Sequence, residues 1–430
     1  MWKRWSDLTL WKRIVLAFVA AIALGALMKR TGVYDAHAAD TLSAVPDFLF
    51  EIVLALGPLF INAIKMLMVP IIFITIVNGV TSLHDGAKLG RLSAKTIGLY
   101  LVTTAFAVML GLVMANVIRP GEGIDLPADI AGDTAAAGAM TIRDLLIGLV
   151  PANPVKAMTD GNVLQIIVFA LLIGISINLA GDAGKTVRHF FDSATEVMFK
   201  LVHLIMETAP YGIFALIIWV IGELSVAELF RLGWIVVTLY LACLVQIGLV
   251  YGGLLALFAR LSPIHFFRGI VDAQAVAFST STSAGTLPVT LANVEDNLGV
   301  SKKIASFVLP LGATMNMDGT AIYMGIAAVF TAQALGIDLS FMQYATIVLT
   351  GVLASIGAAS IPSAGLIIMP VVLSSVGLPL GAIALFFPID RIMDMMRTLT
   401  NVTGDAMVSV LVAKSEGELD MSTFRAPAIE

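Results

Sequence analysis

The sequence predicts an all-α membrane protein with eight transmembrane helices and two re-entrant helical hairpins. Of its 430 residues, 59% are hydrophobic and 13% are charged, whereas a soluble domain is nearer half apolar and a quarter charged. The mean hydropathy is +0.96. Eight apolar runs can cross a bilayer, and two further runs are interrupted by small and polar residues. The basic residues are few and spread along the chain, so the composition argues against nucleic-acid binding.

The eight spans follow from one physical requirement. A helix needs about 20 apolar residues to cross a hydrocarbon core of about 30 Å. The first run has a basic flank, and we expect it to remain as a span because no convincing signal-peptide cleavage site follows it. The spans are predicted at residues 12–28, 47–82, 94–118, 162–181, 194–222, 229–259, 304–334 and 379–413.

The loops between these spans alternate in charge. Lys and Arg lie before the first span, between the second and third, after the fourth, and between the sixth and seventh, whereas the other loops carry Asp and Glu. Since basic loops stay in the cytoplasm, we expect a multi-pass protein of the cell inner membrane, surrounded by lipid, with both termini cytoplasmic. The single cysteine, Cys243, excludes a disulfide within one chain.

Two apolar segments, 270–295 and 345–377, do not resemble continuous spans. Each contains hydroxyl and small residues before a proline, in "STSTSAGTLPV" and "ASIGAASIPSAGL". Each precedes a span with polar residues at its middle. We interpret them as two copies of a re-entrant hairpin followed by a broken helix. One copy enters from each face, so the repeat is inverted, and this is the usual construction of a secondary transporter with its site at the bilayer midplane.

Polar residues interrupt the predicted seventh span. Asn316, Asp318, Gly319 and Thr320 lie in "MNMDGTA", and an Asp at the centre of a membrane helix costs about 2.5–3.5 kcal/mol. An unwound helix exposes carbonyl oxygens where a cavity or the protein meets them. Together with one carboxylate they form a site for a small hard cation. The alternative is a glycine kink whose polar side chains bind neighbouring helices.

The eighth span carries a polar face. Asp394, Arg397, Thr398, Asn401 and Asp405 share one side at 3.6 residues per turn. A fixed guanidinium with separate carboxylates suits a ligand of both signs, such as an acidic amino acid. Arg397 would fork onto its side-chain carboxylate, Asp394 would take its ammonium, and Asp405 would hold a metal cation or a proton. The alternative is a self-neutralising structural network in which Asp394 pairs with Arg397.

Two weaker signals lie elsewhere. Hydroxyls and backbone N–H groups in the run 279–286 could bind an anionic group at a half-helix terminus, although Ser and Thr often satisfy membrane helices. Tyr100, Thr103 and Thr104 lie on one turn of the third span, where spacing alone favours packing and interhelical hydrogen bonds.

The motifs "STSAGTLPVT", "NMDGT", "SIPSAG" and "DMMRTLTNVTGDA" resemble those of the dicarboxylate/amino acid:cation symporter family. This family includes archaeal aspartate transporters, bacterial glutamate and C4-dicarboxylate carriers, and mammalian excitatory amino acid transporters. The resemblance covers nearly the whole chain. It implies a homotrimer with an elevator-type mechanism, in which the second hairpin is the extracellular gate. The implied division is scaffold spans 1–2 in 1–82, span 3 of the transport domain in 83–118, an extracellular loop with scaffold spans 4–5 in 119–224, the remaining transport domain in 225–418, and a cytoplasmic tail in 419–430.

The resemblance also implies binding residues. The substrate would contact Ser283, Thr320, Ile361, Gly365, Asp394, Arg397, Thr398 and Asn401. A first sodium ion would bind Asp405 with the carbonyls of Gly312, Asn316 and Asn401. A second would bind the carbonyls of Thr314, Ser355, Ile356 and Ala358. A third would bind Tyr100, Thr103, Thr104, Asn316 and Asp318.

This sequence departs from the family pattern in two places. The second hairpin has Ser363 after its proline, where glycine is common. Relatives that take acidic amino acids often carry a second arginine near the pocket, but the hairpin position here is Ser281 and the additional arginine is Arg391. Arg391 would either reach the pocket rim, lie at the interface, or pair with Asp390.

We therefore predict a sodium-coupled importer of L-aspartate or L-glutamate, and not an enzyme. The nearest alternative is a proton- or sodium-coupled carrier of C4-dicarboxylates or neutral amino acids. An intramembrane aspartyl protease with Asp318 and Asp405 as its dyad is a more distant alternative, because it leaves Arg397 and both hairpins unexplained.

Overall fold

The computed structural model of the chain describes most of the predicted spans. The described residues are 10–30, 47–81, 87–124, 147, 150–160, 162–208, 210–212, 214–215, 218, 226–356 and 363–426. Ile361 and Ala358, two of the residues implied by the resemblance, lie outside them, as do Pro362 and most of the 119–141 loop. Within the described residues the secondary structure is helical, with one isolated bridge between Val300 and Leu419.

Sixteen α-helices are described, and they follow the predicted order. The first six are α1 (Leu10–Arg30), α2 (Asp47–Thr81), α3 (Ala87–Ile118), α4 (Pro154–Thr159), α5 (Val163–Leu179) and α6 (Lys185–Met206). The next five are α7 (Val226–Val245), α8 (Pro263–Gly269), α9 (Val271–Thr280), α10 (Ser283–Ala292) and α11 (Lys302–Met315). The last five are α12 (Asp318–Ala334), α13 (Phe341–Ile356), α14 (Ala364–Ser375), α15 (Phe387–Glu416) and α16 (Met421–Arg425).

Two of the described helical segments are long and apolar enough to cross a membrane by length and composition. They are Arg91–Ile118 and Leu232–Phe258, which correspond to the predicted third and sixth spans. The second of these continues α7 through two π-helical turns, Gln246–Tyr251 and Leu254–Phe258. The remaining predicted spans stay predictions.

The predicted seventh span is broken at its polar centre. Helix α11 ends at Met315 and α12 begins at Asp318, while Asn316 and Met317 have non-helical backbone angles. Both residues are buried. Their backbone groups, the Asn316 amide and the Met317 thioether therefore face protein. The interruption that "MNMDGTA" predicted is therefore present. It lies between the C-terminus of α11 and the N-terminus of α12.

The first hairpin consists of α9 and α10, and its turn is built by hydroxyl residues. Ser281 ends α9 in the left-handed conformation, with φ of 55°. The side chain of Thr282 then caps α10 by accepting a hydrogen bond from the Gly285 N–H at 3.2 Å. The second hairpin has α13 and α14 as its arms. Ser363 opens α14 with φ of 63°, a conformation that costs a non-glycine residue about 1–2 kcal/mol.

Helix α12 lies at the centre of the packing. From Asp318 to Ala332 every one of its residues is buried, and it packs against α3, α7, α13, α14 and α15. Helices α2, α5 and α6 pack against one another, and α14 joins this group to the centre by touching α2 and α5. A helix that is apolar on all sides is expected in such an interior position.

The C-terminal segment is tied back onto the end of the molecule formed by α3 and the first hairpin. Glu416 accepts hydrogen bonds from Arg91 at 2.6 Å and Lys95 at 2.5 Å. The Asp420 N–H donates to the Gly299 carbonyl at 2.8 Å, and Phe424 is buried. These contacts hold residues from three separate parts of the chain together near the start of α3.

The Glu416 ion pairs predict a pH-dependent contribution to stability. Hydrogen bonds from Lys95 and Arg91 lower the pKa of Glu416 from its ordinary value of 4.5. A carboxylate whose pKa falls on folding stabilises the fold above its unfolded-state pKa, and that contribution is lost as the pH drops through the folded-state pKa. We expect Glu416→Gln to lower the thermal unfolding midpoint of detergent-solubilised protein at pH 7, with the difference from wild type closing below pH 4.5.

The matched control is Asp160→Asn, which removes the exposed pair between Lys156 and Asp160 on one helical turn. Exposed pairs of this kind contribute little, so its midpoint should stay at the wild-type value. A Glu416→Gln midpoint equal to wild type at pH 7 and low salt would show that the three-part contact does not depend on this carboxylate.

Candidate functional site

The buried charges of α15 form a three-residue network. Arg397 is fully buried, and Asp390 and Asp394 are 2% and 5% exposed. The Arg397 Nη2 group donates to Asp394 Oδ1 at 2.6 Å and to Asp390 Oδ1 at 3.0 Å. Residues 390, 394 and 397 are spaced by four and three, so one helix face carries all three. The pairing of Asp394 with Arg397, which the sequence left as an alternative, is present.

The rest of the Arg397 guanidinium has no such partner. Its Nε and Nη1 atoms are buried and make no hydrogen bond within the described residues, although a guanidinium carries five N–H donors. The ring of Tyr323 stacks against the guanidinium at 4.3 Å from its centroid. Gly365 of α14 lies close beside the guanidinium, since a Cβ there would lie 1.9 Å from Nη1. The N–H groups of Nε and Nη1 are therefore unpaired donors, and a substrate carboxylate could accept a charge-assisted hydrogen bond from Nη1.

Asp394 connects this network to the second hairpin. Its Oδ2 atom accepts a hydrogen bond from the Ser363 backbone N–H at 2.8 Å. Ser363 provides that N–H from its left-handed conformation at the start of α14. The serine that replaces the usual glycine thus keeps the tight backbone turn, and the turn aims a donor at Asp394.

A second cluster surrounds Asp405. The Asn316 Nδ2 group donates to Asp405 Oδ1 at 2.9 Å and approaches the Asn401 carbonyl at 3.5 Å. A Cβ on Gly312 would lie 2.5 Å from Asp405 Oδ1 and 2.4 Å from the Tyr100 hydroxyl. The four residues implied for the first sodium site are therefore neighbours, and they offer one carboxylate and several carbonyl oxygens, the ligand types that hard cations prefer.

A third cluster surrounds Asp318, which is fully buried. Its Oδ1 atom accepts a hydrogen bond from Thr104 Oγ1 at 2.7 Å. Thr103 Oγ1 lies 3.4 Å from Asn316 Oδ1, and the Tyr100 hydroxyl donates to the Val308 carbonyl at 3.0 Å. The polar turn of α3, which spacing alone favoured as packing, thus faces the broken centre of the seventh span.

The remaining predicted residues are distributed around these clusters. Ser283, Thr320 and Thr398 are buried, and the Gly319 N–H donates to Asn401 Oδ1 at 2.8 Å. Thr314 and Ser355 donate their hydroxyl hydrogens locally, to the carbonyls of Leu311 and Val352. Ile356 is the last residue of α13.

The described residues contain no group of three or more His, Cys, Asp or Glu side chains that could hold a metal ion. The polar atoms around Asp405 and Asp318 are instead hydroxyl, amide and backbone carbonyl groups.

Four residues near these clusters were not assigned from the sequence. Asp390 was noted but had no role, although its spacing from Arg397 could have placed it on the same face. Tyr323 follows Thr320 by almost one turn of α12, which was a usable signal. Gln246 and Tyr251 both contact Asp318 and gave no signal under an α-helical period.

Arg391 lies apart from the pocket network. Its Nη2 atom donates to the Ser279 carbonyl at 3.1 Å, in an exposed position at the end of α9. Asp390 pairs with Arg397 instead, so the suggested pairing of Arg391 with Asp390 is replaced by a contact to the first hairpin. Arg391 is thus positioned next to the turn of the first hairpin.

A broken helix, two hairpins and buried charge on the facing sides of α12 and α15 are typical of a membrane transport protein. Residues 10–415 match the family model described as the sodium:dicarboxylate symporter family, and the chain belongs to that family. It is 34% identical over 381 residues to the proton/sodium-glutamate symport protein of Bacillus subtilis, covering 87% of each chain. It is 35% identical over 378 residues to the C4-dicarboxylate transport protein of Azorhizobium caulinodans, covering 86% of this chain and 84% of that one.

The contact between Gly365 and Arg397 gives a direct test of the pocket. In Gly365→Ala the new Cβ would lie 1.9 Å from Nη1 and 3.0 Å from Tyr323 Cδ1, and the guanidinium cannot retreat because it is stacked and paired. We expect the affinity for substrate to fall at least about tenfold, the effect of losing one hydrogen bond to a charged group. Competition binding on purified protein measures it.

Gly233→Ala on α7 is the matched control, since a Cβ there meets no atom within 4 Å. Both variants should elute from size exclusion as wild type does. Near-normal substrate affinity in Gly365→Ala would mean that substrate does not bind the Nη1 group of Arg397.

Proposed function

We propose that the protein imports an acidic amino acid, L-aspartate or L-glutamate, in symport with sodium ions. The observation that carries this proposal is the buried Arg397 guanidinium, whose Nη2 atom binds two carboxylates while Nε and Nη1 have no hydrogen bond within the described residues. The family membership and the glutamate symport name of the Bacillus subtilis relative support it.

The substrate's side-chain carboxylate would accept a hydrogen bond from the unpaired Nη1 group of Arg397. This interaction satisfies buried donors that otherwise pay a desolvation penalty, and Tyr323 keeps the guanidinium plane in place. The substrate's ammonium would then bind Asp394, whose two oxygens face Arg397 and the second hairpin. Contact with both groups at once would link binding to closure of that hairpin, the proposed extracellular gate.

The charge of the network favours a substrate with an ammonium group. Two carboxylates and one guanidinium leave a net charge of about −1 if all are ionised. An acidic amino acid adds −1 and places its positive end beside Asp394. A dicarboxylate adds −2 in a medium of low dielectric, where like charges repel strongly.

A C4-dicarboxylate is the second candidate, and a specific contact favours it. Asp394 already binds Arg397 and the Ser363 N–H, so it does not need an ammonium partner. The relative from Azorhizobium caulinodans, whose name is C4-dicarboxylate transport protein, is as similar to this chain as the glutamate symport protein.

Sodium is the coupling ion we propose because the Asp405 and Asp318 clusters offer oxygen ligands around single carboxylates. The family description names sodium, and the Bacillus subtilis relative is named for both proton and sodium. Proton coupling would use the same carboxylates as proton carriers, so only a flux measurement under separate gradients distinguishes the ions.

The test is uptake of labelled aspartate into proteoliposomes, with glutamate, succinate, fumarate and serine as competitors. We expect aspartate and glutamate to compete best in wild type. In Asp394→Asn the ammonium loses its charged partner, so the affinity for aspartate should fall at least about tenfold, while succinate should compete equally well or better. Arg397→Cys should abolish both, because removal of one partner of a buried charge pair costs about 2–5 kcal/mol.

Uptake under separate sodium and pH gradients identifies the coupling ion. Uptake should require an inward sodium gradient at constant pH and should not follow a pH gradient alone. Stronger competition by succinate than by aspartate in wild type would establish the dicarboxylate function. Uptake driven by a pH gradient without sodium would establish proton coupling.

A further inference from the structure

The π-helical turn of the sixth predicted span contacts the buried carboxylate of Asp318. The Tyr251 hydroxyl donates to Asp318 Oδ2 at 2.7 Å, and Gln246 Nε2 approaches the same oxygen at 3.3 Å. Gln246 Nε2 also approaches the Thr103 carbonyl at 3.4 Å. Gln246 and Tyr251 are fully buried, so these contacts lie in the same dry interior as the carboxylate.

The π-helical geometry is what brings the two side chains together. In an α-helix, residues five apart point about 140° away from each other, because each residue turns the helix by about 100°. A π-turn closes i→i+5 hydrogen bonds, so its first and sixth residues lie nearly above one another. Residues Gln246–Tyr251 span such a turn, and both ends of it meet one carboxylate oxygen.

The two Asp318 oxygens therefore have separate partners. Oδ2 is held by Gln246 and Tyr251, whereas Oδ1 is approached by Thr104 of α3. A threonine hydroxyl that donates its hydrogen keeps two lone pairs, and these remain free for a cation beside Oδ1. The Gln246 Oε1 atom is buried without a hydrogen-bond partner within the described residues, so Gln246 is held through the Nε2 contacts to Asp318 and Thr103.

From this geometry we propose that Gln246 and Tyr251 are positioning residues for the coupling cation at Asp318. They fix Oδ2, so Oδ1 and the α3 hydroxyls face the cation without rearrangement. The inference rests on the proposed sodium coupling and deepens it, since it adds the sixth span to a site otherwise built from the third and seventh.

The close approach of Gly404 supports a fixed position for Tyr251. A Cβ on Gly404 would lie 2.7 Å from both the Tyr251 hydroxyl and Asn316 Nδ2. The glycine thus lets the tyrosine hydroxyl and the asparagine amide approach α15 closely. In a variant that lacks the donors to Oδ2, we expect the Asp318 carboxylate to rotate toward other donors. Cation binding would then have to reverse this rotation, which weakens it.

The experiment compares sodium dependence in Gln246→Leu and Tyr251→Phe with wild type. Purified protein is titrated with sodium in the absence of substrate, followed by intrinsic fluorescence or calorimetry, and uptake into proteoliposomes is measured against sodium concentration. We expect each variant to raise the half-saturating sodium concentration at least about fivefold, as loss of a hydrogen bond to a charged group implies. The substrate KM at saturating sodium should stay within about twofold, because the Arg397 network is untouched.

Matched controls separate positioning from packing. Tyr240→Phe removes a hydroxyl of α7 that donates to the Ile392 carbonyl at 2.9 Å. Gln274→Leu removes an amide that donates to Thr403 Oγ1 at 3.0 Å. Neither residue contacts Asp318 or Asp405 within the described residues, so both controls should keep the wild-type sodium titration.

The outcomes distinguish this inference from the proposed function. If Asp318→Asn shifts the sodium titration while Gln246→Leu and Tyr251→Phe leave it unchanged, the positioning role is overturned and sodium coupling stands. If wild-type binding and uptake do not respond to sodium at all, the proposed coupling itself fails. A fall in maximal uptake with an unchanged half-saturating sodium concentration would assign both residues to packing.

Discussion

The cost of placing charge inside an apolar interior governs this molecule. Arg397, Asp390, Asp394, Asp318 and Asp405 are all buried, and an uncompensated charge in such surroundings costs several kcal/mol. Most of their partners come from elsewhere in the chain: the second hairpin for Asp394, and the third, sixth and seventh spans for the two carboxylates of the cation clusters. Because each buried carboxylate needs hydrogen-bond donors from other helices, these charges favour an arrangement in which those helices lie together.

The irregular backbone lies where these charges lie. The break between α11 and α12, the π-turn of the sixth span, and the left-handed serines of both hairpins each interrupt a helix, and irregular backbone in a membrane is tolerated only where protein or a cavity satisfies it. Ser363 makes the connection explicit, since its strained conformation aims an N–H at Asp394. The hydrogen bond to a buried carboxylate thus offsets the conformational cost of the left-handed serine, while the regular parts of the helices pack through apolar side chains.

The sequence predicted the features that follow a simple period or a local composition. The polar face of α15 followed from spacings of three and four, and the break at Asn316 followed from polar residues beside a glycine. It could not predict Gln246 and Tyr251, because five residues place two side chains on different sides of an α-helix and only the π-turn aligns them. It also left open whether Asp394 pairs with Arg397, since that depends on how the second hairpin approaches, and spacing along one helix does not determine this.

The three clusters are joined by two asparagines, and this junction gives the proposed coupling a physical carrier. Asn316 contacts both Thr103 and Asp405, while Asn401 accepts from the Gly319 N–H and lies between Arg397 and Asp405 on α15. In the proposed coupling, a cation at Asp405 would lie beside the Asn316 amide, which also contacts Thr103 of α3. Coupling between sites requires such an element whose arrangement each ligand biases. The asparagines are placed to act as such an element, because their contacts reach Thr103, Asp405 and the Gly319 N–H of α12.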